Sequence, residues 1–344
     1  MAARRSVRPV LNGMVTVPSR PVIFALVGIL VALAVVPMVG DTYAIKVATR
    51  MIVFAIFAMS LDLLLGYTGL VSFGHAAYFG LSAYMLHLYS PEYDAVNLLG
   101  ALLACLAVTA LAALLIGALV VRTRGIYFIM VTLAFAQMLF YLFHDSPIAG
   151  GSDGAYVWVK PALLVGGVTL IDLESREALF YFALGCLAFC YVLIVVVLRS
   201  PFGEVIQGIK VNEHRMRALG YDTYRYKLVS FVISATMAGI AGFLFACIDG
   251  YVSPQLLGWR ESGIGLVMVI LGGMGTLYGS IIGAIAFIGV EEIVRDRDIV
   301  GFMSEHWQML MGAFVILVVL LLKNGLTGFL VLIKRRRTAD EEEA

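Results

Sequence analysis

The chain has 344 residues, of which 61% are hydrophobic and only 14% are charged, and its mean hydropathy is +0.96. A soluble globular protein needs more charge on its solvated surface, so this composition excludes that class and indicates a membrane protein. The net charge of +1 says nothing about nucleic acid, and no Lys/Arg cluster is interleaved with aromatic residues, so we expect no nucleic-acid partner.

Long apolar runs with almost no charge follow one another along the chain. They cover residues 21–40, 63–91, 95–121, 125–143, 178–198, 228–248, 262–290 and 307–322, and residues 51–61 lead into the second run. A helix needs about 20 apolar residues to cross the hydrocarbon layer, and only helices satisfy their backbone in lipid without closing a barrel. We therefore predict an all-α polytopic membrane protein with about ten transmembrane segments. The run at 21–40 lacks a signal-peptide cleavage site, so we expect an uncleaved first helix.

Positive charge is concentrated near residues 4–20, 122–124, 199–227 and 334–337. Because positive loops stay cytoplasmic, both termini are predicted to be cytoplasmic. The predicted organisation is one transmembrane domain over 1–344, with a cytoplasmic N-terminal segment at 1–20, a cytoplasmic coupling loop at 199–227 and a cytoplasmic tail at 334–344. The stretches 43–91 and 262–290 must then each cross the membrane an even number of times.

Two apolar runs, 63–91 and 262–290, are too long for one span and rich in glycine. The second would be about 43 Å long as one straight helix. Glycine weakens helices and permits left-handed turns, so both runs are predicted to be broken or re-entrant. Glycine-interrupted segments in two halves of a chain indicate a transport route. The predicted pathway residues are Gly66, Tyr67, Gly69, Ser72, Gly74 and His75 in the first run, with Gly272, Gly273 and Gly275 in the second. Alternatively, these glycines only let helices pack closely.

Few residues carry reactive side chains inside the apolar runs. Asp62 and His75 flank the first glycine cluster, but isolated ionisable groups do not form a proton relay. The four cysteines lie in apolar runs and are interpreted as core residues; Cys186 and Cys190 share a helix face, which leaves a redox or metal role as a second interpretation. We predict no catalytic site, metal or cofactor, and the sequence has no P-loop to bind nucleotide phosphates.

The basic stretch at 199–227 has clear helix signals. Ser200 and Pro201 end one helix, and residues 212–220 are typical of a short helix closed by Gly220. The short helix could anchor the chain at anionic lipid or dock a cytoplasmic partner.

Four stretches resemble one known family, the LivM-like permeases of branched-chain amino-acid ABC importers. They are residues 65–80 (LGYTGLVSFGHAAYFG), 122–137 (RTRGIYFIMVTLAFAQ), 199–220 (RSPFG through NE and ALG) and 268–283 (MVILGGMGT, then Gly279 and Gly283). Residues 150–154 are similar to a Gly-Gly-x-x-Gly element in the external loop of that family.

The resemblance implies a multi-pass importer subunit of the bacterial inner membrane that carries branched-chain or other hydrophobic amino acids, for which we hypothesise alternating access. It implies a second homologous permease, two cytoplasmic ATPase subunits, a periplasmic substrate-binding protein and membrane lipid as partners. Glu213, Ala218 and Gly220 look like the ATPase-coupling segment, although Glu213-His-Arg departs from the Glu-Ala-Ala pattern of importers. The alternatives are a permease for urea or short-chain amides, an ATP-independent secondary transporter or channel, and a membrane scaffold or receptor.

Overall fold

The computed structural model describes residues 41–91, 94–165, 168–321 and 325–328, together with Gly28 and Pro37. The predicted first helix at 21–40 (apart from those two residues), the N-terminal segment at 1–20 and the tail at 334–344 lie outside the described residues. Helices make up most of the part that the structure describes, which confirms the predicted all-α polytopic class.

The first half of the described chain contains four helices. They are α1 (Thr42–Asp62), which continues as a π-helical turn (Leu63–Thr68, here the π-turn), α2 (Ala76–Tyr89), α3 (Leu98–Val120) and α4 (Ile126–His144). After α4 come two 3-10 turns (Pro147–Ala149 and Gly151–Asp153) and the strands β1 (Ala155–Tyr156), β2 (Ala162–Val165) and β3 (Val168–Asp172).

Between residues 176 and 321, the second half contains seven more helices and one strand. They are α5 (Arg176–Arg199), α6 (Pro201–Ala218), α7 (Thr223–Asp249), β4 (Tyr251–Val252), a 3-10 turn (Pro254–Leu257), α8 (Trp259–Gly272), α9 (Leu277–Arg295), α10 (Arg297–Val300), a 3-10 turn (Gly301–His306) and α11 (Trp307–Leu321).

Seven helical segments among the described residues are long and apolar enough to cross a membrane. They are Thr42–Thr68, Leu98–Val120, Ile126–His144, Arg176–Arg199, Thr223–Asp249, Leu277–Arg295 and Arg297–Leu320. Helices α2 and α8 have 14 residues each, so each is about 21 Å long and shorter than the hydrocarbon layer. The predicted count of ten also includes the run at 21–40, and it stays a prediction.

Helices α1 and α7 form the centre of the bundle. Their most apolar stretches are 89% and 72% buried, whereas that of Arg297–Leu320 is only 11% buried. Aromatic rings of α1, α2 and α7 pack together there: the ring centroid of Phe79 lies 5.2 Å from that of Phe57 and 5.3 Å from that of Phe245. The peripheral helices α3, α4, α5 and α11 therefore leave large apolar faces uncovered, as expected of a protein solvated by lipid.

The bundle has two chemically different ends. The basic end holds Arg122, Arg124 and helix α6, where the Tyr224 hydroxyl donates to the Ala118 carbonyl at 2.9 Å. The strand end holds the antiparallel pairs β1–β4 and β2–β3, and an ion pair of 2.9 Å between Lys46 and Asp249. These short strands were not predicted, because a two- to five-residue strand has too few positions to show alternation.

Candidate functional site

The first glycine-rich run is broken next to the basic end. Helix α1 widens into the π-turn, and Gly69, with φ +78°, reverses the chain. The amide of Leu70 donates to the Leu64 carbonyl at 2.9 Å, six residues back, so the regular α-helical ladder ends here. The chain leaves the helix until α2 begins at Ala76. The predicted interruption of this run is confirmed.

The second run is broken in the same way, between α8 and α9. Gly273 (φ +115°) and Gly275 (φ +78°) adopt conformations that side-chain-bearing residues rarely take. The hydroxyl of Thr327 donates to the freed Gly272 carbonyl at 2.9 Å. This interruption was also predicted and is confirmed.

The two breaks lie against each other. The amide of Gly275 donates to Asp62 Oδ1 at 2.8 Å. Gly66 leaves no room for a side chain here, since a Cβ on it would lie 2.6 Å from the Gly275 nitrogen and 2.1 Å from Asp62 Oδ1. The sequence predicted two separate pathway segments, and the structure joins them in one junction in which a buried carboxylate binds freed backbone.

Close backbone packing also accounts for several of the predicted pathway glycines. A Cβ on Gly74 would lie 2.2 Å from the Thr132 carbonyl oxygen, and one on Gly272 would lie 1.9 Å from that of Gly279. Most of the predicted set is buried: Gly66, Tyr67, Ser72, Gly74, His75, Gly272 and Gly273. Gly69 is exposed and Gly275 is half-buried. The role of these residues in a pathway stays a prediction.

Serine hydroxyls surround the predicted His75. Its Nε2 lies 3.0 Å from Ser60 Oγ and 3.3 Å from Ser234 Oγ, and the next amide, Ala76, donates to Ser262 Oγ at 2.8 Å. These contacts tie the start of α2 to α1, α7 and α8. The predicted Ser72 has a local role, because its hydroxyl accepts from the Gly74 amide at 3.3 Å.

At the basic end, the predicted Glu213 lies at the centre of a group of cations. Its carboxylate Oε1 lies 2.9 Å from Lys227 Nζ, 2.7 Å from Arg217 and 3.4 Å from Arg124, and Thr223 Oγ1 donates to it at 3.0 Å. Burial raises the pKa of the Glu213 carboxyl, but the hydrogen bond and charge of Lys227, the Thr223 hydroxyl and the charge of Arg124 outweigh it, so the pKa lies below its ordinary value. Glu213 is therefore an anionic anchor that binds α6 to α7 and to the turn between α3 and α4.

Helix α6 is bent at one residue. Asn212 has the extended conformation φ −159°, ψ 97°, and its side chain accepts from the Arg215 amide at 3.0 Å. It therefore caps a second short helical segment that ends at Ala218, here called the distal segment of α6. The part of α6 before Asn212 is called the proximal segment. Gly220 closes that segment with φ +91°, and its amide donates to the Arg217 carbonyl at 2.9 Å. The helix predicted at 212–220 and its glycine cap are confirmed.

The two end residues of the predicted coupling loop, 199–227, lie in the flanking helices. Arg199 is the last residue of α5, and Lys227 lies in the first turns of α7 with only 5% of its side chain exposed. Lys227 is folded into the bundle because Glu213 neutralises it, and sequence patterning cannot show such a long-range ion pair.

A model of the family described as "Branched-chain amino acid transport system / permease component" matches residues 43–320. The chain is 30% identical to the high-affinity branched-chain amino acid transport system permease protein LivM of Escherichia coli K12, over 88% of this chain and 74% of that protein. It belongs to the branched-chain amino acid permease family. The permease is 29% identical to LivM of Salmonella typhimurium LT2, over 92% of this chain and 77% of that protein.

The permease also shares shorter regions with other transport subunits. It is 27% identical to the branched-chain amino acid permease protein LivH of Salmonella typhimurium, over 40% of this chain and 42% of that protein. No solved structure matches the chain significantly. The relatives are permease subunits and not enzymes, so this chain is a transport subunit.

Sequence reasoning missed several residues at the breaks. Ser60, Ser230, Ser234 and Ser262 are single serines in apolar runs, and only the tertiary fold shows that they face other polar groups. Lys210 was counted only among the basic residues of the loop, although its Nζ donates to the Gly66 carbonyl.

The cysteines and acidic residues of the permease show no metal cluster among the residues that the structure describes. Cys105, Cys190 and Cys247 are buried and Cys186 is half-buried, and none of the four forms a disulfide. Their positions in helix cores agree with the interpretation as small apolar residues.

Proposed function

We propose that this permease is a subunit of an ATP-binding-cassette importer that moves branched-chain or other hydrophobic amino acids into the cytoplasm by alternating access. The chain belongs to a permease family. Within that family, the observation that carries this proposal is the junction of the two helix breaks next to α6. A helix break frees backbone groups in the bilayer, and such groups are typical of solute routes through transporters.

The basic end is proposed to face the cytoplasm. Arg122, Arg124 and the arginines of α6 lie there together, and the positive-inside rule places such clusters on the cytoplasmic side. The strand end then faces the periplasm, with the whole chain as one domain in the bacterial inner membrane and both termini cytoplasmic.

Helix α6 is proposed to dock the ATPase subunits. Glu213 is held by the chain's own cations, so it fixes the direction of the distal segment instead of reaching out to a partner. Val211 and Leu219, each 67% exposed, and the exposed Ala218 remain available for contact. Gly220 ends the segment, so that the docking surface is short and rigidly connected to α7.

The proposed assembly contains a second homologous permease, two cytoplasmic ATPases and a periplasmic substrate-binding protein. The relatives of this chain include both LivM and LivH permease proteins, which supports a pair of permeases. This chain has no P-loop, so ATP must be hydrolysed by other chains. An amino acid with an apolar side chain would suit a route that combines freed backbone groups with aromatic and leucine side chains.

Reconstitution tests this function. The test uses proteoliposomes that contain this chain with the second permease and the ATPases of its own organism, and the binding protein is added outside. They should take up radiolabelled leucine, isoleucine or valine only when ATP is present in the lumen, on the side of the ATPases. Uptake of urea or short amides instead would favour that substrate class. Uptake by this chain alone would contradict the importer assignment, and no uptake of any solute would favour a scaffold.

A further inference from the structure

Lys210 connects the basic-end helix to the helix breaks. It lies on α6, two residues before the bend at Asn212, and its Nζ donates to the main-chain carbonyl of Gly66 in the π-turn. Its side-chain stem lies beside Gly69, since a Cβ on Gly69 would lie 3.1 Å from Lys210 Cγ. One side chain thus spans from the proposed docking helix to the first break.

The π-turn leaves the Gly66 carbonyl available for this contact. In a regular α-helix the amide of Leu70 would donate to Gly66. Here that amide donates to Leu64 instead, at 2.9 Å, and Gly69 also donates to Leu64. A buried carbonyl without a partner costs free energy, and the ammonium of Lys210 supplies the missing donor.

The second break joins the same junction through Asp62. Asp62 Oδ1 accepts from the Gly275 amide at 2.8 Å, and a Cβ on Gly66 would lie 2.6 Å from that amide nitrogen. A displacement of Gly66 by less than the width of a methyl group would therefore also move Gly275. Lys210 thus contacts the first break directly and reaches the second break through Gly66.

We propose that Lys210 is a positioning residue that transmits movement of α6 to both helix breaks. The inference rests on the proposed function and deepens it, because it names the side chain through which ATPase docking would reach the solute route. Glu213 holds the distal segment of α6 to α7 and to the turn between α3 and α4, and Lys210 holds the proximal segment to the first break. A shift of α6 would thus pull on the junction.

The competing explanation is that Lys210 only caps the end of α1. A cation near a helix C-terminus stabilises that helix through its exposed carbonyls and dipole. Loss of a cap alone would reduce the amount of folded permease, and uptake and ATP hydrolysis would fall together. Loss of a link would change the number of solute molecules transported per ATP.

The test compares Lys210→Met with Arg225→Met in the complete reconstituted importer. Arg225 lies at the same basic end, but its side chain is 83% exposed and pairs only with the neighbouring Asp222 in the described structure. We expect Lys210→Met to lower leucine transported per ATP by about tenfold, with Lys210→Arg restoring part of the ratio and Arg225→Met leaving it unchanged. An unchanged ratio in Lys210→Met would overturn the proposal, whatever the yield of protein.

A disulfide gives a second test that does not depend on removing the charge. A Cβ on Gly69 would lie 3.5 Å from Lys210 Cβ, within the roughly 3.5–4.5 Å that disulfides span. The test uses a background without the four native cysteines. Because a side chain at the φ of +78° of Gly69 is strained, each measurement is compared with the reduced double variant and not with wild type. Oxidation of Gly69→Cys/Lys210→Cys should stop any uptake that the reduced double variant retains, and reductant should restore it. Full uptake by the oxidised form would show that α6 does not move relative to the π-turn.

A third measurement separates this inference from the importer assignment, because it needs no transport. Met274, at the second break, is 55% exposed and can carry a cysteine for maleimide labelling. Lys210→Met should change the labelling rate of Met274→Cys several-fold, whereas Arg225→Met should not. An unchanged rate would overturn the link to the second break. If the wild-type importer shows no ATP-driven uptake, only the proposed function fails.

Discussion

At the scale of single residues, Gly66 and Gly263 show how surroundings decide the role of a glycine. Both lie in apolar runs that the sequence marks as glycine-rich. A Cβ on Gly66 would collide with Asp62 and Gly275, whereas a Cβ on Gly263 would meet nothing within 4 Å. The sequence pattern alone cannot distinguish a junction glycine from a glycine on an open helix face.

We therefore expect opposite outcomes for two alanine variants. Gly66→Ala should lower the free energy of unfolding by about 1–3 kcal/mol, because the added methyl group overpacks the junction. Gly263→Ala, on helix α8, should be neutral or gain up to about 1 kcal/mol from helix propensity. Thermal unfolding in detergent, followed by size-exclusion chromatography, measures both. Equal melting temperatures would contradict the close approach of the two breaks.

Glu213 gives a prediction about pH. Its folded-state pKa is lowered, so its ionised form stabilises the fold above the ordinary pKa of glutamate. This contribution disappears as the pH falls through the lowered folded-state pKa. Glu213→Gln should thus be less stable than wild type by about 1 kcal/mol at pH 7, and the difference should vanish in acid.

Asp222→Asn is the matched control for that experiment. Asp222 pairs with Arg225 at 2.9 Å, but both side chains are more than half exposed, so solvent screens the pair. Its melting temperature should stay close to that of the wild type across the same pH series. A Glu213→Gln variant whose deficit persists unchanged well below the ordinary glutamate pKa of roughly 4, after the folded-state carboxyl is also protonated, would show that the carboxylate charge does not stabilise the basic end.

At the scale of helices and strands, the parts predicted from sequence are those with strong local signals. Glycine density located both breaks, and Gly220 located the end of α6. The π-turn and the contact between Asp62 and Gly275 were not predictable, because residues 213 positions apart in sequence meet only through the tertiary fold. The short strands at the strand end were missed for a different reason, since they pair over two to five residues.

The bend in α6 depends on one polar cap. Asn212 accepts from the Arg215 amide and begins the distal segment. Asn212→Ala should cost about 1 kcal/mol, which corresponds to roughly fivefold faster hydrogen exchange of the segment's amides. Asn212→Asp keeps an acceptor and should exchange at nearly the wild-type rate. Equal exchange in the alanine variant would mean that packing, not the cap, holds the segment.

At the scale of the whole molecule, the fold separates a buried centre from a lipid-facing periphery. Helices α1 and α7 supply the hydroxyl contacts of His75, and the first break follows α1. By contrast, α3 exposes leucines that include Leu103 and Leu115. The hydroxyl contacts of His75 thus lie on helices whose apolar stretches are mostly covered by protein. This separation agrees with the composition: only 14% of the residues are charged, and many of them lie at the two ends of the bundle. Charged side chains within the bilayer are costly.

The orientation of that bundle decides which end meets the ATPases. In a background without native cysteines, Trp158→Cys marks the strand end, where the side chain is 67% exposed, and Arg225→Cys marks the basic end, where it is 83% exposed. A membrane-impermeant maleimide should label Trp158→Cys in intact spheroplasts and Arg225→Cys only after the membrane is permeabilised. Labelling of Arg225→Cys in intact spheroplasts would place α6 outside the cell, where no ATPase could dock, and the positive-inside argument would fail with it.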